Sequence, residues 1–191
     1  VEVTGHAHDD PTRRDAVDIW LAAITAANPS AALSRELILD DDILSHPQLP
    51  HVNTSRYNKI YVVGAGKAAS HMALALEEIM GARLDKGIVI TKDDHAAPTR
   101  TIETVLASHP LPDRRGVDAT KQVIALAKSA GPRDLVLCCF TGGGSSLLTA
   151  PAPGLTLEDT RVIHDALLSN NAPIASINTV RKHTSIVKGG K

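Results

Sequence analysis

The chain has 191 residues, 43% of them hydrophobic, which is enough to build one buried core. Its 20 lysines and arginines nearly balance 21 aspartates and glutamates, and it carries only one Trp, two Tyr and one Phe. This composition argues against nucleic-acid and membrane partners, which require basic patches, stacking aromatics or long apolar runs. No signal-peptide pattern opens the sequence, so we expect a cytoplasmic protein.

The N-terminal third shows weak patterning. Residues 1–13 are polar and aperiodic, and we expect them to be disordered or frayed. Residues 14–28 carry apolar side chains at helical spacing, and Asn-Pro-Ser at 28–30 predicts the end of that helix. Residues 40–58 contain two prolines and are predicted to form a loop. We assign 14–191 to one α/β domain.

From residue 59 onward, continuous apolar runs alternate with helical segments. The pattern predicts an open, Rossmann-like, mostly parallel sheet with helices on both faces. The segments 59–63, 87–91 and 135–140 are expected to form its centre, with a further strand at 104–107. Helices are predicted from the first glycine turn to Gly81, from Asp113 to Ala130, after Thr156, and from Asn178 to Gly189.

A glycine-rich turn follows the first of these strands. The sequence VVGAGKAA (62–69) contains Gly64 and Gly66 in the strand, turn and helix context of a dinucleotide-binding fingerprint. Lys67 lies inside the motif, where a dinucleotide does not need it. A lysine there suits a phosphoryl group or a carboxylate held over the N-terminus of a helix.

A second glycine loop, TGGGSS (141–146), follows the strand at 135–140. The carboxyl ends of parallel strands meet at one edge of a sheet, so we expect both loops to form a single anion site there. The alternative is that both are simply tight turns. The predicted final helix places Arg181, Ser185 and Lys188 on one face, which is either a cationic wall for phosphates or a solvated basic face.

The cysteines and most histidines carry weaker signals. Cys138 and Cys139 are adjacent, which excludes an ordinary disulfide between them, and we interpret both as small buried hydrophobes. Four histidines stand in no catalytic spacing and are interpreted as surface or partly buried residues: His71, His95, His109 and His183.

Five motifs, in order, resemble the amino-terminal domain of the glycerate 2-kinase family. They are VVGAGKAA, SHPLPD, FTGGGSSLL, APAPG and INTVRKHTSIVKGG, and the similarity runs from about residue 15 to the end. The combination of GGGSSLL with N-x-x-R-K-x-x-S-x-x-K-G-G is the most specific part. Some members of this family carry the older label hydroxypyruvate reductase.

The resemblance implies an enzyme that uses ATP and Mg²⁺ to phosphorylate the 2-hydroxyl of D-glycerate, giving 2-phosphoglycerate. Its active site would lie in a cleft between this domain and a second α/β domain. The resemblance makes Lys67 and Arg181 catalytic residues, and it assigns no metal ligand. The residues expected to bind the cofactor are Gly64, Gly66, Gly142, Gly143, Gly144, Ser145, Ser146 and Lys188.

The family continues past the Lys-Gly-Gly sequence, so we expect this chain to be the first domain of a longer enzyme and to be inactive alone. Two alternatives stay open. One is a nicotinamide-dependent hydroxypyruvate reductase that uses the G-x-G-x-x-A motif, and the other is a non-catalytic fragment. Homo-oligomerisation is also left open.

Overall fold

The computed structural model describes residues 10–190, so most of the N-terminal stretch predicted to be frayed lies outside the described residues. Helix α1 (Pro11–Ala26) begins three residues earlier than predicted, because the Asp10 carboxylate accepts a hydrogen bond from the Thr12 amide. Asn28 then caps a second helix, α2 (Pro29–Glu36). The signal at 28–30 therefore marks a new helix as well as the end of the first.

The prediction of a loop over 40–58 is wrong. This region forms a three-stranded antiparallel sheet of β1 (Ile38–Asp40), β2 (Ile43–His46) and β3 (Leu49–Asn53). The strands have three to five residues, too few for alternation to be recognised. Pro50 is tolerated because β3 is an edge strand.

The main sheet has four strands: β4 (Lys59–Ala65), β5 (Lys86–Lys92), β6 (Ile102–Ala107) and β7 (Asp134–Phe140). All pair in parallel, in the order β6-β5-β4-β7, which confirms the predicted fold class. The expectation that 135–140 is central is wrong, since β7 is the edge strand within the described residues. Its apolar run suggested burial on both faces, yet Cys138 and Phe140 are exposed.

Helices cover both faces of this sheet, as predicted. Helix α3 (Ala69–Met80) packs on the face that carries Val62 and Val89, together with α2 and the antiparallel sheet. Helix α4 (Arg114–Ser129) packs on the other face, against Val63 and Ile90. The alternation of side chains along each strand thus supplies two separate apolar layers.

The C-terminal part consists of α5 (Gly144–Leu147), α6 (Leu157–Ser169) and α7 (Ile174–His183). Thr156 and Asp159 form a complete capping box at the start of α6, where the sequence predicted a cap. The predicted bounds of the last helix are wrong, because Asn178 lies inside α7 and the helix ends at His183. After it, the chain pairs with the APAPG loop through a bridge between Pro151 and Ser185.

This pairing also overturns the helical face predicted for Arg181, Ser185 and Lys188, since the last two lie beyond the helix. Among the described residues, no single helix is long and apolar enough to span a membrane. Helices α1 and α2 meet that criterion only jointly, as a pair bent by 58°.

Candidate functional site

The loops that follow the four parallel strands lie at one edge of the main sheet. The chain passes from β4 outward to β5 and β6, then returns through α4 to β7 on the other side of β4. The direction of strand order therefore changes between β4 and β7, and such a switch point is where open α/β sheets bind ligands. Both glycine loops lie at this point.

The first glycine loop is closed by hydrogen bonds to its neighbours. The Gly66 amide donates to the Ile90 carbonyl at 2.9 Å, and the Lys67 amide donates to the Gly142 carbonyl at 2.9 Å. The Ala68 amide donates to Thr141 Oγ1 at 3.1 Å. These amides are therefore not available to a pyrophosphate, in contrast to those of a dinucleotide-binding loop.

Close packing explains both glycines of this loop. A Cβ at Gly64 would collide with the carbonyl oxygen of Cys139 on β7, and a Cβ at Gly66 would collide with Thr141. Gly66 also has a φ of 145°, which L side chains rarely adopt. Both glycines are buried between β4 and the start of the second loop, and direct cofactor contact at them stays a prediction.

The second glycine loop leaves several of its backbone amides without a hydrogen-bond acceptor among residues 10–190. It is anchored at both ends, by the Thr141 amide on the Ala65 carbonyl and the Gly144 amide on the Thr141 carbonyl, each at 3.1 Å. Between and beyond these anchors, the amides of Gly142, Gly143 and Ser145 have no acceptor among residues 10–190. Free amides grouped in one loop are suited to anionic oxygens.

The two serines of this loop differ. Ser146 is 3% exposed, and its hydroxyl donates to the Gly143 carbonyl at 3.1 Å, so it supports the loop. Ser145 is half-buried and lines a cavity of about 390 Å³. Ser145 is therefore the serine of the predicted pair that lines the cavity, and its contact with a ligand stays a prediction.

The cavity brings several of the predicted site residues together. Gly144, Ser145, Arg181 and Lys188 all line it, despite the error in the bounds of α7. The other lining residues are Phe140, Leu148, Asn178, Lys182, Val187 and Gly189. The predicted cations thus line the same cavity, but only Arg181 lies on α7, whereas Lys188 lies on the segment that follows the helix.

Arg181 and Lys188 are half-buried cations without a carboxylate partner among residues 10–190. Neither takes part in any ion pair among the described residues. The Lys188 ammonium donates to the Leu148 carbonyl at 2.7 Å, and burial with the nearby Arg181 lowers the pKa of Lys188 to about 8. Arg181 Nε is buried without a hydrogen-bond partner, and burial lowers the pKa of Arg181. This uncompensated charge favours an anionic ligand.

His164 lines a small pocket together with Arg181 and Lys188, and the sequence analysis missed it. It is 3% exposed, next to Thr160 on the buried side of α6. Burial, then Arg181 and Lys188, lower the pKa of His164 to about 4, so its ring is neutral near pH 7. The only sequence signal was its i, i+4 spacing from Thr160 on one helix face.

Lys67 lies beside the second glycine loop, next to Gly143. It is exposed, and its Cγ lies 3.2 Å from where a Cβ on Gly143 would be. The His109 ring lies 3.0 Å from the same point. Lys67 is not among the residues that line the cavity, so a single concave surface shared by Lys67, Arg181 and Lys188 stays a prediction.

The carboxylates at this edge offer no metal site. Asp93 and Asp113 both bind Arg115, at 2.7 Å and 2.6 Å, and the hydrogen bond from Arg115 lowers the pKa of Asp93. Within residues 10–190, no three His, Cys, Asp or Glu side chains are grouped in a way that could hold a metal ion. The residues described do not fit a resident Mg²⁺ site.

The cysteine prediction is correct for one residue only. Cys139 is buried against α3, whereas Cys138 is exposed, because alternate side chains of edge strand β7 face outward. Burial raises the pKa of both thiols, that of Cys139 to about 12. A raised pKa favours the less reactive thiol form of both residues at neutral pH.

Comparison with protein families gives a match over residues 15–191 to a family described as "Domain of unknown function (DUF4147)". The chain is 37% identical over 170 residues to a protein of Pyrococcus horikoshii named glycerate 2-kinase, covering 88% of the chain and 37% of that protein. It is 40% identical over 172 residues to an Agrobacterium vitis protein named putative hydroxypyruvate reductase, covering 90% and 36%. The chain thus spans little more than a third of the length of these relatives.

Two solved structures share the fold. A Pyrococcus horikoshii OT3 protein superposes with a TM-score of 0.82 at 35% identity, over 94% of this chain and 40% of that one. The structure of glycerate kinase from Thermotoga maritima superposes with a TM-score of 0.73 at 36% identity, over 92% and 39%.

Proposed function

Because the chain belongs to the DUF4147 family and has glycerate kinases among its relatives and structural neighbours, we propose that it forms the phosphate-binding part of an ATP-dependent glycerate 2-kinase. The reaction would transfer the γ-phosphoryl group of ATP to the 2-hydroxyl of D-glycerate, giving 2-phosphoglycerate and ADP. This chain would be the amino-terminal part of that enzyme.

The observation that supports this proposal best is the pair of half-buried cations, Arg181 and Lys188, which line one cavity together with Ser145 of the second glycine loop. Phosphoryl transfer depends mainly on positioning and on neutralising charge on the phosphate oxygens. The cavity of about 390 Å³ between these groups suits the phosphates of a nucleotide. Ser145 adds a hydroxyl donor on the same wall.

Each predicted residue then has a distinct role. We assign Arg181 and Lys188 to the nucleotide phosphates, together with Ser145 and the loop 142–144. Lys67 would face the acceptor substrate or the transferring phosphoryl group. Gly64, Gly66 and Ser146 would act by shaping the two loops. Mg²⁺ accompanies ATP in this proposal, but none of the described residues is assigned to it.

The reductase alternative has less support. It rests on the name of the Agrobacterium vitis relatives and on the G-x-G-x-x-A motif. In this chain the amides of that motif donate to Ile90, Gly142 and Thr141 instead of facing a ligand. A nicotinamide dinucleotide would therefore lack its usual pyrophosphate contacts.

The test is ADP formation that depends on D-glycerate, measured in the longest form of the protein that its gene encodes. We expect Lys67→Met to lower turnover by about 10²–10³-fold, as the loss of one preorganised electrostatic group does. The control, Lys86→Met, removes the same charge at the opposite edge of the sheet. Oxidation of NADH by hydroxypyruvate without ADP formation from D-glycerate would refute the kinase proposal. The 191-residue chain alone should bind phosphate without turnover.

A further inference from the structure

His109 lies in the loop that follows β6, at the same edge as both glycine loops. Its ring is half-buried, and Cδ2 and Nε2 both lie 3.0 Å from where a Cβ on Gly143 would be. The Lys67 side chain approaches the same point to 3.2 Å at its Cγ. The stem of Lys67 and the imidazole of His109 thus both approach Gly143, at a place where a Cβ would contact each of them.

The charges around the ring explain its protonation state. Burial, followed by Lys67, Lys92 and Arg181, lowers the pKa of His109. These cations come from the loop after β4, the end of β5 and α7. The carboxylates of Asp93 and Asp113 are instead paired with Arg115. A neutral ring next to cations can accept a proton, and an anionic substrate bound there would raise its basicity.

The carboxylate and hydroxyl oxygens of a 2-hydroxy acid are on adjacent carbons. If the carboxylate binds Lys67, the hydroxyl reaches a group immediately beside that lysine, and the ring of His109 is such a group. The phosphates of the nucleotide would lie beyond the second glycine loop, near Ser145 and Arg181. The loop would thus separate an acceptor subsite from a phosphate subsite.

Resting on the proposed function, we infer that His109 binds the hydroxyl of the 2-hydroxy acid and accepts its proton during phosphoryl transfer. The hydroxyl oxygen forms a bond to the γ-phosphorus of ATP as the bond between that phosphorus and the β,γ-bridging oxygen breaks. ADP takes the electron pair of the broken bond. The proton moves to the His109 ring and is returned to water after the product leaves.

The first experiment compares His109→Gln with His51→Gln, an exposed histidine on β3, in the longest form of the protein that its gene encodes. We expect His109→Gln to lower kcat for D-glycerate by 10²–10⁴-fold, the usual contribution of a general base. The variant should also lose the acidic limb of the pH profile of kcat/KM. His51→Gln should behave as wild type.

The second experiment follows the His109 ring by ¹H–¹⁵N NMR in the 191-residue chain. Titration with D-glycerate should raise the ring pKa, and Lys67→Met should abolish that rise. If the wild-type protein phosphorylates D-glycerate and His109→Gln changes neither kcat nor the pH profile, the inference is overturned and the proposed function is not. Absence of both wild-type turnover and a glycerate-dependent ring shift would overturn the inference and the proposed function together. A ring shift without any phosphoryl transfer would refute the proton-acceptor role and leave only an acid-binding site.

Discussion

The two glycine loops of this molecule look alike in sequence and differ in what their backbones offer. Both follow neighbouring parallel strands and both precede a helix. The first loop donates its amides to Ile90, Gly142 and Thr141, whereas the second leaves three amides without acceptors within residues 10–190. A glycine motif therefore indicates a ligand site only once the acceptors of its amides are known.

The sharpest test of this difference compares one glycine from each loop. Gly66→Ala places a Cβ against Thr141 and forces an unfavourable φ, so we expect unfolding free energy to fall by about 3 kcal/mol. Gly142 has nothing within 4 Å of its would-be Cβ, so Gly142→Ala should change stability by less than about 0.5 kcal/mol. Denaturant unfolding of both variants measures the contrast. Equal losses would show that the second loop is packed as tightly as the first.

Anion binding tests the second glycine loop, whose backbone amides lack acceptors among residues 10–190. Arg181→Met removes a half-buried cation that no carboxylate balances among residues 10–190, so sulfate affinity should fall about 10-fold, the value of one charge-assisted hydrogen bond. Stability should stay the same or rise, because an unpaired, partly desolvated charge is lost. Calorimetric titration with sulfate and thermal unfolding measure the two effects. Lys86→Met, with the same change of charge, should leave sulfate binding intact.

The contact between the loops can be broken separately. Thr141→Val removes the acceptor of the Ala68 amide, and an unpaired buried amide costs about 1–2 kcal/mol. Thr141→Ser keeps the hydroxyl and should retain most of that stability. Chemical unfolding of the pair provides the measurement. If valine were tolerated as well as serine, this hydrogen bond would not hold the first loop closed.

The smallest expected effect is a pH dependence of sulfate affinity and of stability that arises from Lys188. Its pKa is lowered to about 8, so it loses its charge as pH rises through 8, and sulfate affinity should then fall several-fold. Between pH 8 and 10.5 the folded chain holds fewer protons at this site than the unfolded chain, so this group's contribution to stability rises over the same range. Lys188→Arg should flatten both curves between pH 7 and 9. A wild-type affinity independent of pH would place the charge of Lys188 outside the anion site.

The parts of the fold that local sequence determines were predicted well. The Asp113 and Thr156 caps lie where expected, because a cap needs only an oxygen and an amide two or three residues away. The four parallel strands also follow from their apolar runs. The antiparallel sheet at 38–53 was missed, since its strands are too short to show a pattern and depend on packing against α2 and α3.

Four of the predicted site residues line one cavity, but the sequence did not predict how the chain brings them together. Lys188 reaches the cavity because the chain after α7 pairs with the loop at 150–152, a contact between distant segments that local spacing cannot reveal. The involvement of His109 and His164 also depends on burial and on neighbouring cations. Their burial depends on contacts with distant segments, which the sequence around each histidine does not reveal.

The hydrogen bond from Ala68 to Thr141 joins residues 73 positions apart and has a consequence for folding order. Contacts of such long sequence separation form late, because the intervening chain must first be ordered. The anion site therefore cannot exist before β7 docks on β4. A bound anion should in turn slow hydrogen exchange along β7, since local detachment of this edge strand would release the ligand.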